Sequence, residues 1–76
     1  MTTPITIRPS TTADTPVLRR LAELDSAPPM SGPALIAEVG DRAVAALNLR
    51  DGRAISDPFE PTQQIVALLR AASEAA

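Results

Sequence analysis

The stretch "ALIAEVGDRAVAALNLRDGRAIS", Ala34 to Ser56, decides the fold. Its two strand-like runs, "ALIAEV" and "RAVAALNL", are separated by Gly40-Asp41, and a two-residue loop containing glycine is the favoured connection of a β-hairpin. Asp51-Gly52 is among the strongest short hairpin signals and leads into a third run, Arg53 to Ser56. The segment therefore reads as three antiparallel strands in succession. An Ala-rich run also has high helix propensity, but the flanking turns and a length of about nine residues favour a strand. With side chains alternating at period two, Ala43, Ala45, Leu47 and Leu49 share one face, read as core, while Arg42, Val44, Ala46, Asn48 and Arg50 share the other. Small alanines leave room for a helix to approach closely.

Working outward, Ile5-Thr6-Ile7-Arg8 alternates β-branched and polar residues before Pro9, which predicts a short strand over about residues 4 to 8. The period then changes. Val17, Leu18, Leu21 and Leu24 fall on one helical stripe, with Arg19, Arg20 and Glu23 opposite. Two starts are open for this helix: Thr12 as cap with Asp14 in the first turn, or Thr15 as cap with Pro16 as first helical residue. The stretch "SAPPMSGP", Ser26 to Pro33, ends the helix and forms a loop. On the far side of the meander, Ile65, Val66, Leu68, Leu69 and Ala72 form a second helical stripe, with Glu60-Pro61 marking its start. The order β-α-β-β-β-α predicts an α+β fold, an antiparallel four-stranded sheet packed with two helices, in one domain over residues 1 to 76.

A domain of 76 residues hides only about 60% of the surface its unfolded chain exposes. Small domains compensate with disulfides, metals or oligomerisation, and this chain has no Cys and no His. Self-association or docking on a partner protein is the expected route. Seven basic against nine acidic residues give a formal charge of -2, the charges are scattered, and the largest basic cluster is Arg19-Arg20. With Phe59 as the only aromatic residue, the pattern argues against nucleic acid as a partner. No apolar run approaches the ~20 residues of a membrane span, and "MTTPITIRPS" lacks the features of a signal peptide, so the expectation is a cytoplasmic protein with no membrane partner. Every basic residue is Arg and Ala is abundant, as in proteins of GC-rich bacterial genomes.

Chemistry is poorly supplied. Nucleophilic catalysis needs a base beside Ser or Thr, and His and Lys are both absent. Ser10, Ser26, Ser31 and Ser56 sit near turns, where hydroxyls bond the local backbone. Glu38 and Asp57, near strand ends, read as solvated carboxylates, and Asp41, Asp51 and Asp57 are explained by turn chemistry rather than by a metal. Arg8, Arg19 and Arg20 read as an exposed face. Phe59 reads as a core plug under the second helix. No catalytic, cofactor-binding or metal-ligating residue is assigned.

The stretches "ITIRPSTTADTPVLRRLAELD" and "ALIAEVGDRAVAALNLRDGRAISDPF" resemble the front half of the GNAT superfamily of N-acetyltransferases over about residues 5 to 58. The matching features are Arg8-Pro9 with Asp14 before a helix, Ala37-Glu38 ending a strand, and Gly40 in the next turn. The resemblance implies that a phosphate-gripping turn of the form Gln/Arg-x-x-Gly-x-Gly/Ala should open the last helix and hold acetyl-CoA by backbone amides. Setting Leu68-Leu69 against the family's Leu-Leu places Gln63 and Ile65 where those glycines belong, and a Cβ there keeps a phosphate from the backbone. The resemblance also implies that the strand at Arg53 to Ser56 lacks a neighbour on its far side, leaving an edge that proteins cover or use. The expected function is a non-catalytic interaction module or accessory subunit, a GNAT-like half-domain with no cofactor, associating through its sheet edge or apolar face as a homodimer or on a larger complex. The candidate interaction residues are Arg53, Ile55, Phe59, Ile65 and Leu69. The alternative is a minimal acyl-CoA binder or acetyltransferase completed by dimerisation.

Overall fold

The two hairpin turns are set by glycines in the left-handed region, Gly40 at φ 64° and Gly52 at φ 73°, where a Cβ would crowd the backbone. In the computed structural model, which describes residues 4 to 75, they join β2 (Ala34–Val39), β3 (Arg42–Asn48) and β4 (Ala54–Ser56) into the expected meander. Strand β1 (Ile5–Pro9) pairs with β2, giving an all-antiparallel sheet of order β1-β2-β3-β4. Helices α1 (Thr15–Leu24) and α2 (Gln63–Ala75) complete the fold. The antiparallel four-stranded α+β architecture read from the sequence is the one observed.

The helices lie on opposite faces of the sheet. Leu18, Leu21 and Ala22 of α1 pack with Ala34, Ile36, Ala46 and Ile55. Ile65 and Leu69 of α2 pack with Leu35, Ala37, Ala45 and Leu47. Strand β3 is therefore buried on both sides, whereas its sequence suggested one core face. A bulge also alters the alternation: Ala37 pairs with Ala45 but Glu38 pairs with Ala43, leaving Val44 as the extra residue. Ala43 consequently joins the α1 cluster and Val44 the α2 cluster, the reverse of the strict period-two assignment. Leu49 lies beyond the end of β3 and is exposed.

Helix α1 is preceded by a 3-10 turn, Thr12–Asp14, whose cap is Thr11 rather than either residue read from the sequence. The Thr11 hydroxyl accepts from the Ala13 N–H, and the Asp14 carboxylate accepts from the Thr11 N–H, a reciprocal capping box. Pro16 sits in the first turn of α1, where its missing N–H costs nothing. At the other end Ser26 adopts φ 51°, the Ser26 N–H donates to Glu23 O and the Ala27 N–H donates to Ala22 O, which is a Schellman closure. A non-glycine residue pays about 1 kcal/mol or more in this conformation. Ser26→Gly is accordingly expected to raise stability by up to about 1 kcal/mol, read as a higher urea midpoint at unchanged slope; an unchanged or lower midpoint would remove strain at Ser26 from the account.

The turn between β3 and β4 is longer than the Asp51-Gly52 pair suggests, covering residues 49 to 53. Buried Asn48 organises it. Its Oδ1 accepts from the Arg50 and Asp51 N–H groups at 2.7 and 3.2 Å, and its Nδ2 donates to Ser31 O at 2.9 Å, tying the turn to the long loop.

Candidate interaction surface

Hydrogen-bond parity decides which backbone groups of the sheet are left free. Gly40 N–H donates to Pro4 O and Ser10 N–H donates to Ala34 O, so the even-numbered residues of β1 face β2. Ile5 and Ile7 therefore aim their N–H and C=O groups away from the sheet, and among the described residues none of these groups has a partner. On the opposite edge, Asn48 N–H to Arg53 O and Asp57 N–H to Val44 O turn Arg53, Ile55 and Asp57 toward β3. Ala54 and Ser56 face outward. The Ser56 N–H is occupied by the Asp25 carboxylate at 3.2 Å, from the C-cap of α1. The β4 edge, expected from the sequence to be the open one, is thus short and partly blunted, and among the described residues β1 is the longer open edge.

Of the five candidate interaction residues, Ile55, Ile65 and Leu69 are buried in the two core clusters of the chain itself. Arg53 is half-buried; its Nη2 donates to Pro28 O and Pro29 O, both at 3.1 Å, which pins the proline loop against the β3–β4 turn. The Arg53 Nε is the single buried side-chain nitrogen or oxygen without a partner among the described residues. Phe59 is 83% exposed and plugs nothing, contrary to the core role read for it. The cause is local. Asp57, also read as a solvated carboxylate, is buried; its Oδ1 accepts from the Phe59 N–H at 2.8 Å and its Oδ2 from Arg42 Nη2 at 3.4 Å. That side-chain turn directs the Phe59 ring to solvent.

Apolar side chains line the α2 side of the β1 edge. Ile5 pairs with Val39 and Ile7 with Ala37, so all four point to the face that carries α2. Helix α2 covers β2 and β3 but stops short of β1, leaving Ile5 44% exposed and Ile7 and Val39 half-buried. One flank of α2 leans toward the β3–β4 turn, where Arg70 Nη1 donates to Gly52 O. Leu68, which helical geometry puts on the flank opposite Arg70, is 46% exposed.

The bend before α2 is poor in free donors. Pro58 and Pro61 have no N–H, Asp57 N–H is spent on Val44 O, Phe59 N–H on Asp57 Oδ1 and Glu60 N–H on Asp57 O. Gln63 is exposed and Ile65 is turned into the core. What remains is an ordinary helix start with no glycine to let a phosphate reach the main chain.

The side chains with the strongest mutual interaction lie on the α1 face of β1. Arg8 makes a bidentate pair with Asp14, Nη1 to Oδ2 and Nη2 to Oδ1, both at 2.8 Å, and its Nε donates to Glu38 Oε1 at 2.9 Å. The guanidinium, with the Thr11 N–H, holds the Asp14 carboxyl far below the usual carboxylate range, and the two carboxylates keep Arg8 charged more firmly than usual. Arg8 was read as part of an exposed face, but this cluster ties β1, β2 and the start of α1 together. Two hydroxyls nearby are also engaged: Ser10 Oγ accepts from Ala34 N–H, and Thr15 Oγ1 donates to Thr12 O. Among the described residues there is no group of three or more potential metal ligands and no helix long and apolar enough to cross a membrane. Comparison with protein-family models, with curated proteins and with solved structures gives no match for this chain.

Proposed function

We propose that this chain is a non-catalytic interaction module, built on a scaffold that resembles the first half of a GNAT acetyltransferase domain, and that it associates through a sheet edge and the apolar face beside it. The observation that carries the reading is the coincidence, along β1, of outward-facing Ile5 and Ile7 backbone groups that have no partner among the described residues with the exposed Ile5 side chain and the half-buried Ile7 and Val39. A small domain has little apolar surface to spare, and leaving this strip uncovered beside an open edge is a liability unless something docks there. The donor-poor bend before α2, which has no glycine, weighs against acyl transfer.

The test is a calorimetric titration with acetyl-CoA, the cofactor that the competing acyl-CoA-binding reading requires. No heat of binding is expected at cofactor concentrations up to about 1 mM, weaker than about -4 kcal/mol. A micromolar dissociation constant would replace the interaction module with a minimal acyl-CoA binder.

A further inference from the structure

The occupant of the β1 edge follows from the chemistry of the edge, given the reading of the chain as an association module. A strand that docks on β1 must present outward-facing N–H and C=O groups at the spacing of Ile5 and Ile7. It must also bring apolar, uncharged side chains to the α2 side, because Ile5, Ile7 and Val39 offer no charge to a charged partner. Strand β1 itself meets both demands, with outward-facing backbone groups at Ile5 and Ile7 and both side chains on the α2 side. We infer that two copies of this chain pair β1 with antiparallel β1 about a two-fold axis perpendicular to the sheet, joining two four-stranded sheets into one of eight.

The register is constrained. Only outward-facing residues can form hydrogen-bonded pairs across the new edge, and the register that uses the free groups of both isoleucines sets Ile5 opposite Ile7 of the partner subunit, with the reciprocal pair following from the axis. Both pairs use groups that have no partner among the described residues. Pro9, which has no N–H, ends the ladder on one side. A perpendicular axis keeps both α2 helices on the same side of the joined sheet. The four isoleucines then meet as cross-strand pairs in the trough between the two helices, where β-branched side chains on a pleated surface pack well. On the other side Thr6 meets Thr6 of the partner subunit across the axis. Arg8, the only charge on β1, is already neutralised by Asp14 and Glu38, so like charges do not meet at the seam.

The β4 edge does not compete on equal terms, since the Asp25 carboxylate holds the Ser56 N–H that a second strand would need.

Light scattering on the full chain, run from micromolar to millimolar concentration, tests the pairing. The wild-type chain is expected to approach twice its 7.9 kDa mass. Ile5→Lys places a charge in the trough, and Ile5→Pro removes an outward N–H without touching the β1–β2 ladder; each is expected to raise the dimer dissociation constant about tenfold or more. Both variants should keep the wild-type circular dichroism, because Ile5 is outside the core clusters. Phe59→Ser should leave the dimer intact. A wild-type chain that stays monomeric throughout overturns the inference. So does a dimer that survives both Ile5 variants and falls apart in Phe59→Ser, an outcome that leaves the association reading standing with a different surface. Failure of that reading has another signature, a monomer that binds acetyl-CoA.

Discussion

Leu69→Ala is expected to cost about 2–5 kcal/mol, in a domain whose total stability, scaled by length, is on the order of 4–11 kcal/mol. Leu69 is fully buried where α2 crosses β2 and β3, among Leu35, Ala37, Val44, Leu47 and Ile65. Two features push the cost toward the upper end. The facing β-strand residues Ala37 and Ala45 are small, so the backbone is already close and cannot move in to fill the hole. The helix also has few other anchors, Ile65 being the only other residue of α2 that is buried. Urea denaturation followed by circular dichroism is the measurement. Leu68→Ala, one position away and 46% exposed, is the control and should change stability by less than about 1 kcal/mol. Equal effects at the two positions would mean that α2 is not seated on the sheet as described. The pair also separates roles: Leu69 acts on the folding of each chain, so its loss should lower stability at every protein concentration.

Acid is expected to remove the other large contribution, the Arg8–Asp14 pair. The folded-state pKa of Asp14 is depressed, because the Arg8 guanidinium and the Thr11 N–H both stabilise the charged form. A group of this kind contributes stability above its unfolded pKa, about 3.9, and the contribution is lost as the pH falls below that value toward the folded pKa. The wild-type urea midpoint should therefore be flat near neutrality and fall steeply below pH ~4. Asp14→Asn should start lower at pH 7, since the amide can neither receive the bidentate fork nor close the capping box as a charge. Its midpoint should converge on that of the wild type as the pH drops. A gap between the two proteins that stays constant into strong acid would show that the carboxylate charge is not the source of the stabilisation.

Much of the architecture was legible in local sequence. Glycines at positions 40 and 52 mark turns because only a residue without Cβ enters the left-handed region freely. Val17, Leu18 and Leu21 declare the first helix and Ile65 and Leu69 the second by spacing alone, since a helix that buries one stripe needs apolar residues at that period. The candidate surface was less legible. Ile55, Ile65 and Leu69 look as available for association as for packing when read as letters, and the difference is made by what covers them. Phe59 looked like core because it is aromatic, yet its direction is set by the side chain of Asp57 two residues earlier. Asp57 in turn looked like surface because it is charged, and is buried because a turn amide and Arg42 satisfy it. The one signal that could have been read is the Asp-Pro-Phe-Glu-Pro spacing, in which a carboxylate before a proline is well placed to cap the turn that follows.

By itself, the amino-acid sequence determined the element order, the antiparallel meander and the amphipathic stripes, because turn chemistry and periodicity act over a few neighbouring residues. Tertiary structure alone decided three matters: that β3 is covered on both faces, that a bulge at Val44 exchanges the faces of Ala43 and Val44, and that the β4 edge is partly blunted by Asp25 while β1 is the longer edge strand. Each depends on groups distant in the chain meeting in space. The Asp25 carboxylate reaches Ser56 across 31 positions, and the Arg8 guanidinium reaches Glu38 across 30, contacts that no local pattern encodes.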